Sequence, residues 1–360
     1  MKFIVLAGML LGFPLLGIIT AGTPLCQYLE FPPETRYVSH APFSRAAFIV
    51  YGIIILLTAA PLFIRAVRAG RKVKDSPSPA RHFPWWGRVG IVTGVIAWVL
   101  AWTRFSWFSV FQPHTFVPLW MSFILVVNGL TYRRKGRCMM VNRPGYFLLL
   151  FPASAVFWWF FEYLNRFVQN WFYAGEHFSS WEYFIYATLS FSTVLPAVLG
   201  TREWILSFSW PEAGFAKFLP LEFFRHKTAA WVVLLVSGAG LAGIGVWPDY
   251  LFPLVWVSPL LIIVSLQSLL EERNIMSDIR RGDWRLFISS AAAALFCGGF
   301  WEMWNFYSLA RWEYAVPFVH RYRIFEMPVL GYAGYLPFGL ECTVIGGMLE
   351  RPGASASPSA

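Results

Sequence analysis

Charge is what this chain has least of. Asp, Glu, Lys and Arg make up 13% of its 360 residues, about half the share in a water-soluble domain. So few charges cannot clothe a soluble protein of this length, and soluble enzymes and binding domains are excluded as classes. Cysteine is scarce as well. Cys26, Cys138, Cys297 and Cys342 lie far apart and form no CxxC pair, which leaves neither a disulfide framework nor a zinc site. Cys297 and Cys342 fall in apolar runs and read as small packing residues. There is no P-loop, GxSxG, Rossmann fingerprint, HExxH or haem-attachment motif. His40, His114 and His177 have no metal-ligand spacing. No metal and no redox cofactor is expected.

Apolar and aromatic residues are abundant, at 57% and 19%. The pattern is that of an all-α, polytopic helical membrane protein. The net charge of +10 points away from nucleic acid, because in such proteins excess Lys and Arg mark the cytoplasmic loops.

Ten apolar runs are legible, at about 3–22, 46–64, 89–111, 116–132, 146–171, 183–200, 228–246, 254–270, 284–306 and 327–349. Each is near the ~20 helical residues that cross a bilayer. The first reads as an uncleaved helix, since Thr20-Ala21-Gly22 is a weak cleavage site. Residues 23–45, with Pro32-Pro33, read as an ordered loop. The stretch from Arg65 to Arg88 is basic and carries Pro77 and Pro79, which marks a linker. In 201–227, Phe215, Phe218, Leu219, Leu221, Phe223 and Phe224 alternate with Lys217, Arg225 and Lys227, as in a segment lying in the headgroup layer. The tail 350–360 is expected to be disordered. With the N-terminus inside, 22 of the 29 Lys and Arg fall on the cytoplasmic side. Both termini are therefore expected in the cytoplasm, with the chain in a cell (inner) membrane.

A shift of 140 residues superposes Trp107 on Trp247, Arg133 on Arg273, Glu162 on Glu302 and Asn165 on Asn305. A shift of 141 superposes Trp171 on Trp312, Tyr173 on Tyr314 and Pro196 on Pro337. Glu, Asn, Arg and Pro are rare in lipid, so these matches indicate a duplication. The expected organisation is an N-terminal helix pair and linker (1–88), a four-helix repeat (89–200), the interfacial segment (201–227) and a second four-helix repeat (228–349). An even helix count makes the repeats parallel. Pro196 and Pro337 should kink the fourth helix of each.

Glu162 and Asn165 stand at i and i+3 and share a helix face, as do Glu302 and Asn305. Ionisable residues inside a membrane are functional candidates by default. Helix rise places Glu162 about 24 Å beyond Tyr146, near the outer leaflet. Arg166 offers Glu162 an i, i+4 partner, whereas Phe306 takes that place after Glu302. The second copy is thus the better candidate. The following loop adds Tyr314, His320, Arg321, Arg323 and Glu326. Glu302, Asn305, Glu326 and Tyr314 are the candidate catalytic residues. Glu162, Asn165, His320, Arg321 and Arg323 are the candidate binding residues, at one outer mouth suited to proton transfer or an anionic headgroup. Glu341 is either a second buried carboxylate or a residue at the cytoplasmic interface.

An acid in a helix (Glu302), then Trp312-x-Tyr314, then Glu326-Met327-Pro328 resembles the membrane-embedded carotenoid (lycopene) cyclase families, which are also built from parallel helical repeats. The resemblance covers about 30 residues. Those families usually place the acid after the proline; here Glu326 precedes it, and the first repeat has Ile185 at that position. The resemblance implies an isoprenoid or lipid substrate. Three functions fit the residues: acid/base enzymology on a membrane lipid or isoprenoid, a transporter or lipid flippase with the repeats as rocking halves, and a non-catalytic scaffold in which Glu and Asn tie helices together.

Overall fold

The computed structural model describes residues 2–73, 82–222 and 226–350. Within these the chain is helical apart from two short β-ribbons. The helices that matter here are α1 (Lys2–Thr20), α2 (Arg45–Lys72), α3 (Trp85–Trp102), α4 (Phe116–Lys135), α5 (Pro144–Val168), α6 (Ser180–Phe191), α7 (Val194–Ile205), α8 (Lys227–Gly243), α9 (Ser258–Leu269), α10 (Arg285–Phe306) and α11 (Tyr335–Leu349). This is an integral membrane protein of the all-α, multi-pass kind.

Each of the ten apolar runs forms a helical segment, but not ten full crossings. Seven helices are long and apolar enough to span a bilayer, with α6 and α7 together making one of them. An eighth crossing is a helix pair, Pro248–Val255 and α9, bent by 52°. The remaining two runs give α8 and α11, of 17 and 15 residues. Length is lost at one end. The run expected to be helical to Phe111 stops at Trp102 and continues as a 3₁₀ turn, Ser106–His114. The run from Met327 becomes α-helical only at Tyr335. The two prolines explain part of this. Pro196 and Pro337 do not kink helix interiors. Each sits third in its helix (α7, α11), where its absent N–H is one the first turn leaves unbonded anyway.

Two further expectations change. Half of the basic stretch is not a linker, because α2 continues through Arg65, Arg68 and Arg71 to Lys72. Ala, Arg and Lys are good helix formers, and Arg65 anchors the segment by donating to the Gly214 carbonyl at 2.6 Å and stacking 4.1 Å over Phe218. Lys74, Pro77, Pro79 and Arg81 lie outside the described residues, as do Phe223, Phe224, Arg225 and the tail from Arg351. Nor does the 201–227 segment simply float in a headgroup layer. It forms a short helix, Trp210–Phe215, and Phe215 is fully buried with Ile279, Trp284 and Ile288.

Residues 140 or 141 apart occupy matching places. α3 answers to α8, α4 to α9, α5 to α10, and α7 to α11. Strand β1 (Trp171–Ala174) answers to β2 (Arg311–Tyr314), and the two pair antiparallel. In the register, Trp171 faces Tyr314, Phe172 faces Glu313 and Tyr173 faces Trp312. Counterparts are thus exchanged about a point between Phe172 and Glu313. Below this ribbon lies an aromatic layer in which Trp120 meets Trp301 at 4.8 Å, and Phe161 stacks on Trp256 at 5.1 Å.

Candidate functional site

The site is built where α5 and α10 end against the ribbon. Asn165 stops α5 by turning its side chain back on the chain that follows. Its amide donates to the Trp171 carbonyl at 2.7 Å, and its oxygen accepts from the Asn170 and Trp171 amides. Asn305 does the same after α10, donating to the Trp312 carbonyl and accepting from its amide, at 2.7 and 2.8 Å. Both asparagines are buried and satisfy backbone groups that would otherwise be orphaned. They position the ribbon and are clasps more than reactive groups.

Strand alternation then sorts the ribbon into two faces. Trp171, Tyr173 and Tyr314 point down to the carboxylates, with Trp312 alongside. Phe172 and Glu313 point away, and the Arg36 guanidinium lies 3.3 Å over the Phe172 ring. Glu162 Oε1 accepts from Trp158 Nε1 at 3.0 Å, Trp171 Nε1 at 3.0 Å and the Tyr173 hydroxyl at 2.7 Å. No protein donor is placed on Oε2 among the described residues. Glu302 Oε1 accepts from the Tyr314 and Tyr335 hydroxyls at 2.6 and 2.7 Å, and Trp312 Nε1 donates to the Tyr314 oxygen at 2.8 Å. Glu302 Oε2 is buried without a partner. Burial, then the adjacent carboxyl, push both the Tyr173 and Tyr314 phenols well above their ordinary range, so both remain donors.

The expected Glu162–Arg166 pair does not form. Arg166 Nη2 instead donates to the Gln27 carbonyl at 2.7 Å and lies 3.3 Å from Glu30 Oε2, because the 23–45 segment folds over this end of α5. Tyr37 reaches the Arg166 carbonyl, and Gln169 holds the Tyr37 and Val38 amides at 2.9 Å. The two copies differ elsewhere. Trp158, a donor to Glu162, has Gly298 as its counterpart. Val194 in the first copy is Tyr335 in the second. A Cβ at Gly298 would overlap ring carbons of Tyr335. The loss of one bulky donor therefore makes the room that the other occupies. Tyr335 escaped the sequence reading; its only signal was a hydroxyl standing opposite Val194 in the aligned copies.

A cavity of about 1910 Å³ opens beneath and beside the ribbon. Glu162, Tyr173, Tyr314 and Tyr335 line it, and it runs down along α2. Glu302 is fully buried behind its two tyrosines, so the exposed carboxylate is Glu162 and not the favoured Glu302. The loop residues do not converge as expected. Glu326 sits in the turn of the second ribbon, 3.5 Å from Arg323 Nη1. Arg321 stacks on Phe43 at 4.8 Å, and His320 packs edge-on to the same ring. These four clamp the start of α2. Glu341 is the buried alternative: its Oε1 accepts from the Leu260 amide at 3.2 Å, in the first turn of α9, where a carboxylate complements the helix N-terminus. No group of three metal-ligating side chains occurs among the described residues. No protein-family profile, curated protein or solved structure matches the chain.

Proposed function

We propose that the chain is an acid/base enzyme of the inner membrane, acting on a lipid or isoprenoid at the outer side of the bilayer. The carrying observation is Glu162: three donors hold one oxygen, and the residue lines a large membrane cavity through the other. Such a carboxylate is oriented in advance, as a proton acceptor or a stabiliser of developing positive charge needs to be. Tyr173, already bonded to it, can relay a proton. Tyr314 and Tyr335 present hydroxyls to the same cavity with Glu302 behind them, a second proton acceptor one bond removed. Asn165 and Asn305 are positioning residues. Glu326, His320, Arg321 and Arg323 act in anchoring α2. A duplicated ancestry for 89–200 and 228–349 accounts for the matching clasps and for the reciprocal ribbon register. The bias of Lys and Arg puts both termini in the cytoplasm, and hence the ribbon outside.

The carotenoid cyclase resemblance would make Glu302 and Glu326 partners. Glu326 turns to Arg323, which leaves the isoprenoid hint standing on the cavity alone. The test is a lipid and isoprenoid profile of membranes expressing the wild type or Glu162→Gln at equal protein levels. A product present with the wild type and lost in the variant supports the reading; identical profiles refute it. A flippase is favoured by one observation, the length of the cavity along α2. Movement of fluorescent lipids between leaflets of proteoliposomes, unaffected by Glu162→Gln, would favour it over chemistry.

A further inference from the structure

Helix α2 is fastened at its ends and stands away from the bundle between them. At one end Ser44 N donates to the Phe318 carbonyl at 2.9 Å, and Phe48 meets Tyr322 at 5.3 Å. At the other, Arg65 holds Gly214 and Phe218. Of its 28 residues only Ala69 is buried. Yet Tyr51, Ile55, Thr58, Leu62 and Ala66 all line the cavity, and their spacing puts them on one helix face. That face looks across the gap at Ala291, Ala292 and Leu295 of α10. From Tyr51 to Ala66 the slot is about 22 Å long at 1.5 Å per residue. One leaflet supplies ~15 Å of hydrocarbon, so the slot passes the midplane. Its volume, about 1910 Å³, is well above the ~300–1,000 Å³ of ordinary ligand pockets.

We infer that this slot binds one long isoprenoid chain, taken sideways from the bilayer past α2, with its polar end under the ribbon at Glu162. The inference rests on the proposed lipid or isoprenoid enzymology and specifies the substrate. Three features favour an isoprenoid over a phospholipid tail. The slot is longer than one leaflet, which a tail anchored by its headgroup does not exceed. Its walls alternate bulky and small side chains (Leu62 and Leu295 against Ala66, Ala291 and Ala292), which leaves hollows for methyl branches. The slot is flanked by α2 alone on the bilayer side, so the ligand need never cross water.

The test uses the full chain in nanodiscs with two photoreactive probes, a diazirine ether of geranylgeraniol and a diazirine-tailed phosphatidylcholine. Adducts are mapped by peptide mass spectrometry. The prenyl probe should label Ile55, Leu62 and Leu295, and labelling should fall at least fivefold in Ala292→Trp, which fills the slot. Leu57→Trp, on the opposite and exposed face of α2, should leave it unchanged. If Ala292→Trp does not fold, Thr58→Trp blocks the slot from the α2 side. Equal labelling of the slot by the phospholipid probe overturns the isoprenoid assignment. Adducts confined to Ile53, Leu57 and Leu148 overturn the slot itself. Labelling of the slot without any Glu162-dependent product leaves the slot standing and removes the acid/base reading. A Glu162-dependent product without labelling does the reverse.

Discussion

Gly298→Ala is the most informative single change in this protein, because one added methyl group reaches the candidate site through Tyr335. The new Cβ would overlap Cδ2 and Cε2 of the Tyr335 ring and lie 2.8 Å from its Cγ. The ring cannot easily retreat: it stacks on Trp301 at 5.9 Å and its hydroxyl is tied to Glu302. Overpacking of this kind costs about 1–3 kcal/mol. If the ring yields, the buried carboxyl loses one of its two donors, for about 1–3 kcal/mol more. The expected loss is therefore ~2–5 kcal/mol. In a Tyr335→Ala background the same methyl meets empty space and should cost under ~1 kcal/mol. The double-mutant cycle, read by reversible unfolding in mixed micelles with far-UV circular dichroism, should give a coupling of ~1–3 kcal/mol. The pair Gly298→Trp with Tyr335→Val restores the first copy's solution and should be more stable than either single change. Costs for Gly298→Ala and Tyr335→Ala that simply add, within ~0.5 kcal/mol, would show that the two positions do not share one space.

Asn165→Ala and Asn305→Ala should each lower stability by ~1–3 kcal/mol, because each leaves buried backbone groups of the ribbon unbonded; unchanged thermal unfolding of both would dismiss the clasp. Asp249→Ala removes the partner of His40 Nδ1 and of the Ala41 amide, both at 2.8 Å, and limited proteolysis should then cut within residues 29–44 faster than in the wild type. Of the four cysteines only Cys26 is exposed, so a membrane-impermeant maleimide should modify one thiol per chain in intact spheroplasts; labelling only after lysis would invert the assigned orientation.

What could be read in the sequence was what depends on short-range chemistry. Hydropathy located every helical segment, and the Glu–Asn spacing marked both helix ends that carry the site. What could not be read depends on which distant segment arrives. Arg166 is well placed for Glu162 by helix spacing, but a more local geometry yields to the Gln27 carbonyl and Glu30 once the 23–45 segment folds across. Tyr335 comes to Glu302 from 33 residues away, and only a missing side chain at Gly298 permits it. The exposed carboxylate turned out to be the one with three donors, because Tyr335 fills the space in front of the other. The reach of α2 past Leu62 was hidden because a basic run reads as linker wherever its anchoring contacts are unseen.

The ribbon register has a consequence for how the molecule can be divided. Phe172 faces Glu313, and Trp171 and Tyr173 face the counterparts of each other. A contact of this kind is isologous, the form that two identical subunits make across a closed twofold axis. The covalent link between the halves is then a tether, not the source of their geometry. Separate fragments 1–222 and 226–360, made together in one membrane, are expected to find each other through that strand pair and to copurify, while changing Phe172 or Glu313 to proline should part them. A single-chain protein would in that sense still carry the interface of a dimer.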